Sequence, residues 1–395
     1  MSTEEGDKLH VVTADDISNS KKRLGKFLVW GSAIILAFTL LLQALDTNAY
    51  LTIDLETWRP SLYAYVFWAF CLCVSQVLTR GEHGKRVLFV LPAALFVISM
   101  VVFPLLFGLV IAFSDWNLSS PDGRTFNGLD NVRQMWRDPF YWNALKNMVW
   151  YTIVIIIEYA VAFGLAILLN SQIRARKFFR VAFLLPLMLS PVAVSWMIGK
   201  SMLEIRFGPI SRFLRWLASE PSEDLPALLY YPGIYIADLA QWFGWASPSF
   251  FGSAGIARTM IMAMDAWTFI PFMMIMILAG LQAIPRELYE ASEVDGASRW
   301  RQFLEITFPL MLPVSITAVL IRIIFKLKLA DIIINITSGG PGGATDSVTS
   351  FIFREYRDRS NVGYGTLLAI VYLVIIVIAM TILIKLADRW MKPRY

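Results

Sequence analysis

Long apolar runs separated by short polar stretches dominate the chain. Eight of them approach or exceed the roughly 20 residues that a helix needs to cross the hydrocarbon core of a bilayer. They lie at about 27–45, 61–78, 88–113, 147–170, 181–203, 256–281, 308–333 and 363–385. The pattern predicts an all-α integral membrane protein with about eight transmembrane helices. Residues 1–26 form a polar tail that is too long and too acidic for the basic start of a signal peptide, so the first run reads as a retained span. No internal repeat stands out, and no pair of short Gly/Pro-broken spans suggests an inverted-repeat carrier.

Composition supports the same class. Of 395 residues, 57% are hydrophobic and only 16% charged, whereas soluble domains carry about 25% charged residues. The net charge of +5 reflects loop topology, since no basic patch is interleaved with aromatics as nucleic-acid binding would require. Lys and Arg concentrate in alternate connections: Lys21, Lys22, Arg23 and Lys26, then Arg80, Lys85 and Arg86, then Arg174, Arg176, Lys177 and Arg180, then Arg286, Arg299 and Arg301, and finally Lys385, Arg389, Lys392 and Arg394. The positive-inside rule therefore predicts both termini in the cytoplasm. The outer loops fall at about 46–60, 114–146, 204–255 and 334–362. The third is long and rich in Trp, Tyr and Pro (LLYYPGIYIADLAQWFGWASPSFF). Two readings stand for it, a segment lying on the membrane interface or a docking surface.

Soluble-enzyme chemistry is absent. Gly199-Lys200-Ser201 spells the end of a phosphate-binding loop, but that pattern needs a glycine at position 194, where the chain has Val. The two cysteines, Cys71 and Cys73, are spaced i, i+2 and point to different helix faces, so they cannot pair, and His10 and His83 are remote from them. The expectation is no catalytic residue, no metal and no cofactor on this chain, with any energy supplied by a partner or an ion gradient.

One polar stretch between the sixth and seventh runs is unusual: ELYEASEVDGASRWRQFLEITFP, residues 287–309. Pro285 suits a helix start. Arg286 to Val294 predicts one short helix, Asp295-Gly296 a break, and Ser298 the cap of a second short helix ending near Leu304. Pro309 and Pro313 mark re-entry into the membrane. Glu290, Ala291 and Ser292, then three residues, Gly296, then nine residues, Ile306, one residue, and Phe308-Pro309 resemble the EAA motif of bacterial ABC importer permeases, EAA-x3-G-x9-I-x-L-P. The departures are Ser for the third small residue and Phe for Leu. The stretch 257–297, the Gly-Gly-Pro at 339–341 and FLLPLMLSPVAVSW at 183–196 are similar to the larger permease subunit of maltose-type importers.

That resemblance covers about residues 88–388 and implies a type I ABC importer permease core with a two-helix extension at 27–87, a coupling loop at 285–309 and a cytoplasmic tail at 389–395. It implies that Glu290, Ala291, Ser292, Asp295, Gly296 and Ala297 dock onto a separate ATPase, with Glu290 bonded to a basic residue there. The implied partners are a second homologous permease, two copies of a cytoplasmic ATPase that holds the ATP and Mg, a periplasmic solute-binding protein and the bilayer of the inner membrane. The alternative is a self-contained, ion-coupled secondary transporter that uses Glu158 or Asp265 as a proton relay.

Charged residues inside spans are costly and point to function. They include Glu158, Lys200, Asp265, Arg322, Lys326, Lys328 and Asp331. Lys200, Lys328 and Asp331 lie near span ends and can snorkel to the interface; Glu158 reads as a helix-pairing contact. Arg322 and Lys326 are i, i+4 and share a helix face. By the resemblance, Asp265, Thr268, Phe269, Arg322 and Lys326 fall where the maltose permease lines its sugar site, although the cations replace small or amide residues there. Two readings stay open: Asp265 pairs internally with Arg322 or Lys326, or the group faces a carbohydrate-like solute. Two cations against one carboxylate favour an anionic one.

Overall fold

A computed structural model of the protein describes residues 18–47, 58–121, 123–171, 174–221, 227–244 and 246–391. The remainder of the expected polar tail and the extreme C-terminus lie outside these residues. Among the described residues, seven helices are long and apolar enough to cross a membrane: Asn19–Gln43, Arg59–Arg80, Gly84–Ala112, Pro139–Asn170, Ala254–Ala283, Arg299–Leu327 and Val362–Arg389. A bent pair, Arg176–Met188 with Pro191–Met202, completes an eighth. Counted in chain order, the bent pair is the fifth span.

The chain forms two compact units, residues 1–107 and 108–395. The first therefore takes in most of the third span, whereas the extension was expected to stop at residue 87. Its first helix begins at Asn19, well inside the expected tail. The second and third spans form a hairpin: the Tyr65 hydroxyl donates to the Leu95 carbonyl at 2.6 Å, a contact that a straight helix 30 residues long, spanning about 45 Å, cannot make. Cys71 and Cys73 are both free.

In the second unit the fourth span starts at Pro139, capped by the Asp138 side chain, which accepts from Phe140 N. The expected outer loop 114–146 is thus mostly structured. Ser114–Asp115 pairs antiparallel with Thr125–Phe126, and the Asn131 amide donates to the carbonyls of Ala112 and Ser114, both at 2.9 Å.

The fifth span bends by 99°. Leu189 and Ser190 take extended backbone there, and the Ser190 hydroxyl accepts from Ala193 N to restart the helix. An unbroken span was expected. Pro191 has no N–H to continue the first half and is well suited to open the second. Gly199 of the apparent phosphate-loop tripeptide is a packing position: a Cβ there would sit 2.1 Å from Ile336 Cδ1.

The seventh span ends at Leu327, six residues earlier than the apolar run. The backbone breaks through Lys328 and Ala330 before a short helix, Asp331–Ile336. The loop that follows is tied down by side chains of the fourth span. Asn143 donates to Gly343 O, Asn147 to Ala344 O and Asp346 O, and Tyr151 to Thr345 O, at 2.8–2.9 Å. Asp346 is fully buried against Ser350 and Arg354. Burial pushes its carboxyl above the ordinary carboxylate range, against the opposing pull of Arg354.

The eighth span approaches backbone to backbone at its start: a Cβ on Gly363 would lie 2.1 Å from the Ser114 carbonyl, whereas a Cβ on Gly164 would meet nothing within 4 Å. Overpacking of this kind costs about 1–3 kcal/mol. Gly363→Ala should lower the thermal unfolding midpoint of the detergent-solubilised protein, and Gly164→Ala should leave it nearly unchanged.

Candidate functional site

Glu158, Asp265, Arg322 and Lys326 come from three spans and meet inside the second unit. Each is at most 2% exposed. Glu158 projects from the Ile155–Asn170 helix of the fourth span, Asp265 from the sixth and the two cations from one face of the seventh. Arg322 holds Glu158 in a two-pronged bond, Nε to Oε2 at 2.7 Å and Nη2 to Oε1 at 3.2 Å. Lys326 donates to Glu158 Oε1 at 2.8 Å. Both cations also bond the same oxygen of Asp265, Oδ2. The guanidinium lies over the Phe269 ring, 4.4 Å from its centroid.

The charge count from sequence changes here. Glu158 is a second carboxylate in the group, so two cations face two anions and no positive charge is left over. The i, i+4 face of Arg322 and Lys326 was readable from the sequence. The closure of the ring by Glu158, more than 160 residues away, had no sequence signal beyond its being charged inside a span. Within the ring, Arg322 Nη1 has no partner among the described residues.

Beside the cluster lies a cavity of about 160 Å³, lined by Pro191, Asp265, Thr268, Phe269, Phe325 and the turn Lys328–Ile332. Phe269 stacks on Phe325 with centroids 5.5 Å apart, and Thr268 donates its hydroxyl to Met264 O. Asp265, Thr268 and Phe269 thus line the cavity, while Arg322 and Lys326 stand behind it. Sequence reasoning passed over Lys328 as an interfacial side chain. It borders the cavity, is exposed, and has no ion pair among the described residues.

The charged stretch after the sixth span folds as Arg286–Val294, then Asp295 and Gly296 at φ +73°. The positive φ is the reason for glycine at this turn. Ala297 N returns to Ser292 O at 2.9 Å, and Ser298 caps Arg299–Gln302. No separate second helix follows. A π-helical turn, Phe303–Thr307, carries the chain directly into the seventh span. Ser292 accepts from the Gln302 amide at 3.0 Å and donates to Tyr289 O, and the Tyr289 and Thr307 hydroxyls lie 2.9 Å apart. Glu290 and Ala291 are exposed, and Val294 is 90% exposed. One face of this helix is bonded to the seventh span and the other is bare.

Eight spans, an enclosed polar ring beside a cavity and a helix offered at one membrane face define a subunit of a membrane transport system. The chain belongs to the family of binding-protein-dependent transport system inner membrane components, whose model matches residues 160–393. It is 32% identical over 298 residues to the sulfoquinovosyl glycerol transport system permease protein SmoG of Agrobacterium fabrum, covering 75% of this chain and 88% of that one. It is 28% identical over 304 residues to the trehalose/maltose transport system permease protein MalF of Thermococcus litoralis, covering 77% and 93%. The fold matches a crystal structure of a bacterial ABC transporter involved in import of the acidic polysaccharide alginate, with TM-score 0.62, 20% identity and 77% and 95% of the two chains covered. The resemblance carried by residues 287–309 holds at the level of the family, and the chain is an inner-membrane component of its transport system.

Removing one member of a buried charged group leaves an uncompensated charge and costs about 3–5 kcal/mol. Glu158→Leu should therefore lower the unfolding midpoint strongly. Glu158→Leu combined with Arg322→Met, which removes one charge of each sign, should recover much of the loss. Thermal unfolding in detergent checks both.

Proposed function

We propose that this chain is a translocation subunit of an ATP-driven importer for a carbohydrate or related polyhydroxy solute bearing an anionic group. The pocket carries the reading. Phe269 and Phe325, stacked on each other, supply an aromatic wall for a sugar ring, Asp265 an acceptor for hydroxyls, and Lys328 an unpaired ammonium for an anionic substituent. Arg322 and Lys326 hold Asp265 in place from behind. Relatives whose names specify sulfoquinovosyl glycerol, trehalose and maltose support a sugar-like solute. The first of these bears a sulfonate, which supports an anionic one.

At about 160 Å³, the cavity is smaller than the roughly 300–1,000 Å³ of complete ligand sites. A second, homologous permease supplies the opposite wall in this reading. Of two copies of a cytoplasmic ATPase in the assembly, one docks on the bare face of Arg286–Val294, with Glu290 bonded to a basic residue and Ala291, Ser292, Asp295, Gly296 and Ala297 shaping the contact. ATP and Mg belong to that ATPase, and this chain hydrolyses nothing. A periplasmic binding protein delivers the solute. Both termini are cytoplasmic, because only that orientation puts the basic connections inside.

Loss of one charge-assisted bond costs about 1.5–3 kcal/mol, or roughly 10–100-fold in rate if it acts at the transition state. Lys328→Ala in the reconstituted transporter should cut ATP-dependent uptake of an acidic saccharide by that factor and spare neutral sugars. Preference of the wild type for neutral sugars, with full uptake by the variant, would remove the anionic-solute reading. Glu290→Ala should lower uptake and ATPase activity together. Solute uptake by the isolated chain in liposomes, without ATPase, would instead establish the secondary carrier.

A further inference from the structure

Between the fifth and sixth spans the chain forms two helices that take no part in the cavity or the charged ring, Pro209–Leu217 and Ala227–Trp242. Their packing is the reverse of a soluble hairpin, in which large apolar side chains turn inward. The first helix buries Ser211, and Ala218 at its end; the second buries Ala237 and Ala240. The Ser211 hydroxyl donates to Leu203 O at 3.1 Å, and the Gln241 amide donates to Ala218 O at 3.1 Å. Small residues thus make the internal contacts.

The large apolar residues face out. Phe213 is 57% exposed and Trp216 68% on the first helix; Tyr235, Leu239 and Trp242 are 75%, 57% and 78% exposed on the second. Spacings of three and four residues place each set on one stripe of its helix. Arg212 flanks the first stripe, and the Arg215 guanidinium is anchored nearby to the carbonyls of Ser211 and Arg206. The first helix carries no acidic residue. Glu204 and Glu220 bracket it, and Asp238 is exposed on the second helix.

We propose that the helices Pro209–Leu217 and Ala227–Trp242 are a membrane-surface anchor. The two apolar stripes enter the headgroup–acyl boundary, and Arg206, Arg212 and Arg215 meet phospholipid phosphates. Three observations select the bilayer as the occupant. The hairpin is tethered to the membrane at both ends, because it starts directly after Met202 closes the fifth span and ends shortly before Ala254 opens the sixth. Trp and Tyr dominate its exposed stripes, as they do at membrane interfaces. The apolar stripe of Pro209–Leu217, edged by Arg212 and Arg215, is complementary to headgroup phosphates, while the stripe of the second helix contributes aromatic and aliphatic residues only.

The anchor lies on the membrane face opposite Arg286–Val294, since the sixth span separates the two. Through the Ser211–Leu203 bond it ties the end of the broken fifth span to the plane of the bilayer. This inference rests on the chain's membrane placement alone and stands independently of the solute and partners proposed above.

The test uses the full-length chain with Cys71→Ser and Cys73→Ser, in nanodiscs of phosphatidylethanolamine and phosphatidylglycerol. Nitroxides are attached at single cysteines in Phe213→Cys, Leu239→Cys and Arg212→Cys, and their collisions with oxygen and a water-soluble nickel chelate are compared. Labels at 213 and 239 should report depths of about 5–10 Å below the phosphates, and the label at 212 should report the aqueous side. Brominated lipids should quench tryptophan emission less in Trp242→Phe than in the wild type, a readout that needs no label. Nickel access at 213 and 239 equal to that at 212 would overturn the proposal. So would aqueous labels that become shielded only when a solute-binding protein is added, which would make the hairpin a protein-docking surface.

Discussion

Hydrocarbon cannot solvate charge, and the second unit is organised around that constraint. Four ionisable side chains sit almost without exposure among apolar helices. Each would be strongly destabilising alone. They are tolerated because the ring neutralises itself, and neutrality requires three spans to hold a common register. Glu158 touches both cations, both cations touch Asp265, and a slide of one helical turn in any of the three spans would break at least two of these bonds. Buried ion pairs are weak sources of net stability. The ring is better understood as fixing one arrangement of the fourth, sixth and seventh spans among several that apolar packing alone would permit.

The parts of the structure dictated by the solvent were legible in the sequence. Bilayer thickness sets the length of an apolar run, so the spans could be placed from run length alone. The turn at Gly296 was legible because Asp-Gly after a run of good helix formers leaves little else. Three features were not. The break at Leu189–Ser190 sits inside a predominantly apolar run, and a proline there fits a kinked helix as well as a 99° bend. The end of the seventh span at Leu327 was hidden because Leu329, Ala330, Ile332 and Ile333 continue the apolar pattern into a separate helix. The pairing of Glu158 depends on which helices become neighbours, which one-dimensional periodicity does not encode. Ser292 shows the limit from the other side. It looked like a departure from a run of small residues, yet its hydroxyl is one of two side-chain links that join the short helix to the seventh span.

The two backbone interruptions have a common location. Pro191 restarts the broken fifth span, and Lys328–Ile332 forms the turn after the seventh; both line the cavity that also contains Asp265 and Phe269. Irregular backbone at membrane depth is tolerated only where it is enclosed by protein or borders a polar cavity. At the seventh-span break the freed carbonyls are met by side chains: Ser347 donates to Leu329 O, and Thr349 and Tyr372 donate to Leu327 O. The close approach of Gly199 to Ile336 packs the two interrupted segments against each other.

The hydrogen bonds around Arg286–Val294 decide how a force applied there would spread. The helix is continuous in chain with the sixth span, which carries Asp265, and it is bonded through Tyr289–Thr307 and Ser292–Gln302 to the start of the seventh, which carries Arg322 and Lys326. A push on the exposed face loads both spans together, and the Asp265 bonds lie within that loaded pair. The Glu158 bonds cross out of it to the fourth span. Displacement of the pair as a body would therefore strain the Glu158 side of the ring first, while the Asp265 side travels intact. Under such a displacement the two carboxylates would have unequal duties: Asp265 would hold the displaced spans to each other at the edge of the cavity, and Glu158 would be the contact across which they shift. Neutrality of the ring sets a limit on that shift, because a displacement that freed both cations from Glu158 would leave a net charge in hydrocarbon.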